Sequence, residues 1–273
     1  MRLRLLVTAS FAIPILLMGS VHLIRAAKTP LGAQPKDESG RTPVLVELFT
    51  SEGCSSCPPA DALLAGFDRS QPISGAEIIV LSEHVDYWDG IGWKDPYSSH
   101  EYSERQSAYA AQFGLGTVYT PQMVVDGHFE FVGDDERRAS QAIKEAAELT
   151  KAPVHLSFGS SDDDKATVLH VEAGPLPSAT GTQSAGVFLA VADNSDQSPV
   201  SGGENAGRTL QHVAVLRKLT RIGTLEASAK FSRDINLGFQ SKTLGNLRIV
   251  VIVQEPEAGR VLGAGLTRLL NHY

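Results

Sequence analysis

Apolar residues in this chain come in short runs broken by clusters of turn-forming residues, and the runs change character near residue 152. In the first half, Pro43 to Phe49 reads as a buried strand with one acid, Glu47, inside it. Pro58 to Phe67 reads as a helix, because proline suits a first turn where its missing N–H would have no partner. Leu63, Leu64 and Phe67 give that helix an apolar face. Glu77 to Ser82 is a second buried strand. Strand, helix and strand at this spacing imply a right-handed parallel crossover. Both strands then end on one sheet edge, where ligand sites gather in open α/β sheets. An insertion from His84 to about Gly116 holds both tryptophans, Trp88 and Trp93, followed by a helical stretch from Ser98 to Phe113. Val118 to Val125 and His128 to Val132 flank Asp126-Gly127, a strong hairpin signal. Asp134 to Thr150 reads as an amphipathic helix, with Ala139, Ile143, Ala146 and Ala147 inward and Asp134 as candidate N-cap.

From Pro153 the runs are shorter and partly alternating: 154–158, 166–171, 186–192, 229–237 and 247–254, with Gly, Ser, Asp and Pro between them. That texture predicts an all-β, sandwich-like module. The expected organisation is therefore a leader at 1–27, a linker at 28–42, an α/β domain at 43–151 and an all-β domain at 152–273. No internal repeat is visible.

The leader is legible from its own pattern. Arg2 and Arg4 precede an apolar stretch reaching Ile24, and Arg25-Ala26-Ala27 ends it. A positive start, an apolar middle and small residues at a cleavage point describe a secretory signal. An uncleaved inner-membrane anchor is the competing reading, since about 20 apolar residues span a bilayer. Either way the rest of the chain is expected in the periplasm or outside the cell, where a disulfide persists. A formal charge of −7 gives no electrostatic case for nucleic acid or for an anionic lipid surface. Contact with a membrane is expected only if the leader stays attached.

The chemistry concentrates in Cys54-Ser55-Ser56-Cys57, which holds both cysteines of the protein between a strand and a helix. A helix N-terminus favours a thiolate through its free N–H groups and dipole. Cys54 would then attack a disulfide and Cys57 would resolve the mixed disulfide. An inert structural disulfide and a metal site are the alternatives. Zinc usually takes four protein ligands in a structural site, and no second cysteine pair exists. Two thiolates with His84 form a soft set that suits copper, so a copper-binding or copper-delivery protein remains open, although no Met-rich or His-rich tract supports one.

The same stretch resembles the thioredoxin superfamily, which pairs a Cys-x-x-Cys with a cis-proline. Thr120-Pro121 occupies the matching place, and the resemblance implies that Thr120 and Pro121 present backbone to a substrate chain. It also implies a buried proton acceptor on the first central strand, a role that falls on Glu47, seven residues before Cys54. The tryptophan that thioredoxin carries before its first cysteine is Gly53 here, and its Gly-Pro dipeptide is Ser55-Ser56. The run Thr50-Ser51-Glu52-Gly53-Cys54-Ser55-Ser56-Cys57-Pro58-Pro59-Ala60-Asp61 is more closely similar to a bacterial family of uncharacterised, secreted, thioredoxin-like proteins. That similarity continues through His84 to Asp89, Tyr119 to Gln122 and Gly203 to Leu210.

His84, Asp86 and Trp88 follow the second strand and belong near its active edge. His84 and Trp88 are read either as site residues that tune Cys54 and contact substrate, or as a turn cap and core. Ser201 to Asn205 is a loop by composition. Its Glu204 and Arg208, with His212, are read as an ion-pair cluster, as groups reaching over the cysteines, or as a solvated hairpin loop. The expectation is thus a thioredoxin-like α/β domain followed by a mainly β domain. Its expected activity is a candidate thiol–disulfide oxidoreductase that acts on protein or small thiol and disulfide substrates without a cofactor or a metal.

Overall fold

The computed structural model describes residues 40–159, 167–238 and 245–269. The leader and most of the linker read from the sequence lie outside these residues. Strand β1 (Thr42–Thr50) is the centre of the first half. It runs parallel to β2 (Ala76–His84), with Thr42 opposite Ala76 and Thr50 opposite His84. On its other side it pairs antiparallel with β3 (Gln122–Val125), which turns back into β4 (Phe129–Val132). Asp126 and Gly127, with φ of 52° and 60°, are the left-handed central pair of the turn, which His128 N closes onto Val125 O at 3.0 Å. Gly127 is required twice over, because a Cβ there would stand 2.4 Å from the Gly259 carbonyl oxygen.

Alternation along β1 sorts its side chains. Val44, Val46 and Leu48 face the helices α1 (Pro58–Ser70) and α3 (Glu136–Ala147), packing with Leu64, Phe67, Ile78, Val80, Met123 and Ile143. Leu45, Glu47 and Phe49 face the other way, toward α2 (His100–Phe113) and its Tyr102 and Tyr109. Apolar residues on both faces explain why the strand reads as a continuous run. The α3 N-cap is Asp135, whose carboxylate accepts from Arg138 N at 2.8 Å, rather than Asp134.

The second half supplies β5 (Val154–Gly159), β6 (Val168–Ala173), β7 (Ser184–Pro199), β8 (Thr209–Glu226), β9 (Phe231–Asn236), β10 (Leu247–Gln254) and β11 (Val261–Arg268). Of these, β8 and β11 were not expected from the sequence. Strands β5, β6 and β9 form a small sheet. The others join the first half in one eight-stranded mixed sheet of order β11-β10-β7-β8-β2-β1-β3-β4. This overturns the expected thioredoxin-like α/β domain with a separate β domain behind it. Among the described residues the structure is mostly β, with three α-helices, and the sheet continues from β2 to β8 where Ser82 meets Val215 in parallel. The sheet coils until β11 returns to β1. Val261 N donates to Asp126 O at 2.8 Å, and Asp126 N donates to Leu45 O at 2.9 Å. Inside the coil, Leu45, Ile79 and Leu81 share one core with Ala190, Leu216, Val250, Ile252 and Val261.

Candidate functional site

The stretch after β1 leaves the sheet edge and turns directly into α1. Cys54 and Cys57 are joined as a disulfide with Cα atoms 5.5 Å apart. Cys57 is the N-cap residue of α1, and its carbonyl accepts the first helical bonds, from Ala60 N at 2.9 Å and Asp61 N at 3.1 Å. Pro58 and Pro59 fill the first helical positions, where an N–H would be left over. The disulfide thus sits on the positive end of a 13-residue helix.

Both cysteines are fully buried, whereas Ser55 and Ser56 between them are exposed. Two segments cover them. Trp88 packs over Gly53, where a Cβ would come within 3.1 Å of the Trp88 Cβ, and its Nε1 donates to Thr120 Oγ1 at 2.8 Å. Trp88 therefore bridges the residue before Cys54 and the residue before Pro121. The Thr120-Pro121 bond is cis. Gly133, whose N donates to Pro121 O at 2.9 Å, lies where Pro121, Leu48 and Ala60 of α1 converge.

The second cover is the loop between β7 and β8. Asn205 is buried, and its Nδ2 donates to the carbonyls of Glu52 and Cys54, each at 2.9 Å. Glu204 accepts from Ser55 N at 2.9 Å, and hydrogen bonding by the Ser55 side chain and then by this N–H holds its carboxyl below the usual range. Arg208 Nη1 donates to Asn205 Oδ1 at 2.8 Å and fixes the amide's orientation. This loop reaches over the cysteine stretch instead of standing in solvent.

Beneath the stretch lies a buried polar cluster. Asp95 Oδ2 stands 2.7 Å from His84 Nδ1 and accepts from Glu52 N at 2.8 Å. Glu52 stands 3.2 Å from His212 Nε2 through Oε1, and its Oε2 accepts from Trp93 Nε1 at 2.7 Å. The rings of His84 and His212 meet edge to face with centroids 4.7 Å apart. Burial pushes Asp61 up against the opposing pull of both histidines. Burial alone would lower His84, but Asp95 outweighs it and holds the imidazole above its ordinary value. Burial likewise favours protonation of Asp95, yet His84 keeps it below the usual carboxylate range.

The structure brings Cys54, Cys57, Trp88, Thr120 and Pro121 together around the first turn of α1. His84 lies in the polar cluster below. Glu47 is elsewhere: it faces α2, accepting from Arg105 Nε at 2.7 Å and Tyr109 OH at 2.5 Å. Asp61, Glu52, Asp95 and Asn205 were not singled out as site residues from the sequence. Asp61 carried a usable signal, since it follows Cys57 by four residues and so shares its helix face. The others are joined only by the fold. Among the described residues, no group of three or more His, Cys, Asp or Glu is placed to hold a metal ion.

A protein-family profile described as "protein of unknown function (DUF1223)" matches residues 45–254, from β1 through the cysteine stretch and its covering loop to the end of β10. The chain belongs to that family. A comparison with curated proteins returned no match. Among solved structures, protein AGR_C_4864 from Agrobacterium tumefaciens is similar, with a TM-score of 0.68 and 24% identity over 85% of this chain and 97% of that one. HBP35 of Porphyromonas gingivalis is similar with a TM-score of 0.63 and 16% identity, over 85% of this chain and 77% of that one. At these identities the likeness concerns the fold.

Proposed function

We propose that this protein carries out thiol–disulfide exchange through Cys54 and Cys57, in an oxidising compartment reached by its N-terminal leader. The observation that carries this reading is the position of the Cys54–Cys57 disulfide at the N-terminus of α1, at the edge of the sheet. Pro58 and Pro59 leave no free N–H in the first turn, so the helix dipole is what favours a thiolate there. In the reduced protein, the Cys54 thiolate attacks a substrate disulfide, one substrate sulfur leaves as thiolate, and Cys54 holds the other in a mixed disulfide. Cys57 then attacks Cys54 Sγ, restoring the internal disulfide and releasing the second substrate thiol. Two electrons pass from the dithiol to the substrate. Run backwards, the same steps oxidise a substrate dithiol.

Complete burial of both cysteines favours a second reading, a structural disulfide that locks the β1–α1 connection. Reduction potential and reactivity separate the two. Exchange predicts a potential above about −300 mV and a reduced Cys54 that forms a mixed disulfide faster than an ordinary thiol at neutral pH. A lower potential together with an unreactive Cys54 would leave the structural reading standing alone.

A further inference from the structure

Resting on the exchange reading, we infer that Asp61, backed by His84 and His212, is the proton acceptor that activates Cys57 as the resolving thiol. Asp61 follows Cys57 by one helical turn, its N–H bonded to the Cys57 carbonyl at 3.1 Å. Side chains four residues apart share a helix face, and they lean toward the N-terminus. The Asp61 carboxyl therefore leans toward Cys57. It is also nearly buried, on the α1 side of the sheet where Thr50 and His84 end β1 and β2.

Two buried ring nitrogens at this place, His84 Nε2 and His212 Nδ1, have no hydrogen-bond partner, and the Asp61 carboxyl beside them meets only the Thr50 hydroxyl. Each histidine is held at its other nitrogen, His84 by Asp95 at 2.7 Å and His212 by Glu52 at 3.2 Å. Leaving a buried polar group unpaired costs about 1–3 kcal/mol, so stability does not account for two unpaired imidazole nitrogens beside a buried acid. Groups that must gain and lose a proton do need a free lone pair or an empty donor site. Asp95 is the other charged group acting on Asp61, and Glu52 and Tyr97 flank the two histidines. Burial raises the affinity of Asp61 for a proton, while the histidines oppose the shift, which suits a group that alternates between states.

The step balances simply. As Cys57 attacks the Cys54 mixed disulfide, its S–H proton passes to the Asp61 carboxylate, the new S–S bond forms, and the substrate thiolate departs. In the reverse direction, Asp61 returns the proton to Cys57 as it leaves. Glu47 is not needed, because it faces the other side of β1 and is bonded to Arg105 and Tyr109.

The test uses the reduced full chain and an aryl disulfide that releases a coloured thiolate at each stage, so that mixed-disulfide formation and resolution are read separately. Asp61→Asn is expected to slow the second release by about tenfold or more near neutral pH, and to match the parent above about pH 9, where Cys57 ionises unaided. Equal rates near neutral pH overturn the inference. So does a slowing of the same size at every pH, which is what a purely structural role produces. No second release from the parent itself would instead remove the exchange reading. Should Asp61→Asn fail to fold, the ring-nitrogen shifts of His84 and His212 in the parent answer the question: they change when the disulfide is reduced, and identical shifts in both states overturn the inference.

Discussion

At the scale of single residues, the α2 face of β1 and β2 presents a charge problem that the chain solves with one cation. Glu47 and Glu83 are both fully buried, and Arg105 lies between them, bonded to Glu47 and 3.5 Å from Glu83 Oε1. Neither Glu83 oxygen has a hydrogen-bond partner. Burial, and then the negative charge of Glu47, push Glu83 well above its ordinary value. A carboxyl that binds its proton more tightly in the folded chain contributes stability below its unfolded pKa and loses it as pH rises through the folded one. Glu83→Gln is a neutral isostere that escapes this loss. The variant should match the parent in acid and exceed it by roughly 1–3 kcal/mol in alkali, as measured by urea midpoints across pH. A variant weaker than the parent at every pH would show that Glu83 is needed ionised. Strict alternation sets Glu47 on the face opposite Val46 and Leu48, a signal that its expected role as proton acceptor for the cysteine pair left unused. Its bond to Arg105 was not legible in the sequence, since 58 residues separate them.

At the scale of elements, the loop between β7 and β8 covers the cysteine stretch. It approaches the insertion after β2 so closely that a Cβ on Gly202 would stand 2.2 Å from the Gly92 carbonyl oxygen. Gly202→Ala must therefore push the two segments apart without touching Glu204 or Asn205. A cover weakened by ~1 kcal/mol opens about fivefold more often. Reduction of the disulfide by a small phosphine should speed up by that factor, whereas Gly116→Ala, with open space around it, should leave the rate alone. An unchanged rate for Gly202→Ala would mean that reductant reaches the sulfurs by another route. Composition identified this segment as a loop and left reaching over the cysteines as one of three readings; the choice rests on contacts such as Asn205 with Cys54, 151 positions apart. The flanking strand β8 escaped notice for a different reason. Its central stretch Arg217-Lys218-Leu219-Thr220-Arg221 is largely charged and exposed, so neither an apolar run nor a clean alternation marks it.

At the scale of the whole molecule, the decisive feature is the shared core inside the coiled sheet. Leu45, Ile79 and Leu81 are buried there, against β7, β8, β10 and β11. Burying each such side chain is worth about 1.5–3 kcal/mol, and total stability of a domain is only about 5–15 kcal/mol. A chain ending at Ala152 would expose these residues together with the β2 edge that meets β8. It would also strip the buried pair in which Lys151 Nζ meets Asp126 Oδ2 at 2.6 Å of its further bond to Val261 O. Such a fragment is expected to lack a cooperative unfolding transition by circular dichroism and to aggregate. A fragment that melts cooperatively would show that the shared core adds little.

By itself the sequence located the first seven elements, with ends up to four residues from those observed, because each carries its own period, proline or glycine signal. It also placed the cysteine pair at a helix N-terminus, a statement about neighbours in the chain. What only the tertiary structure decided was how far the sheet continues, what covers the disulfide and which acid lies near it. Those depend on contacts between residues distant in sequence, such as Ser82 with Val215, Asn205 with Cys54, and His212 with Glu52. A periodic pattern records which face of an element is buried. It does not record what buries it.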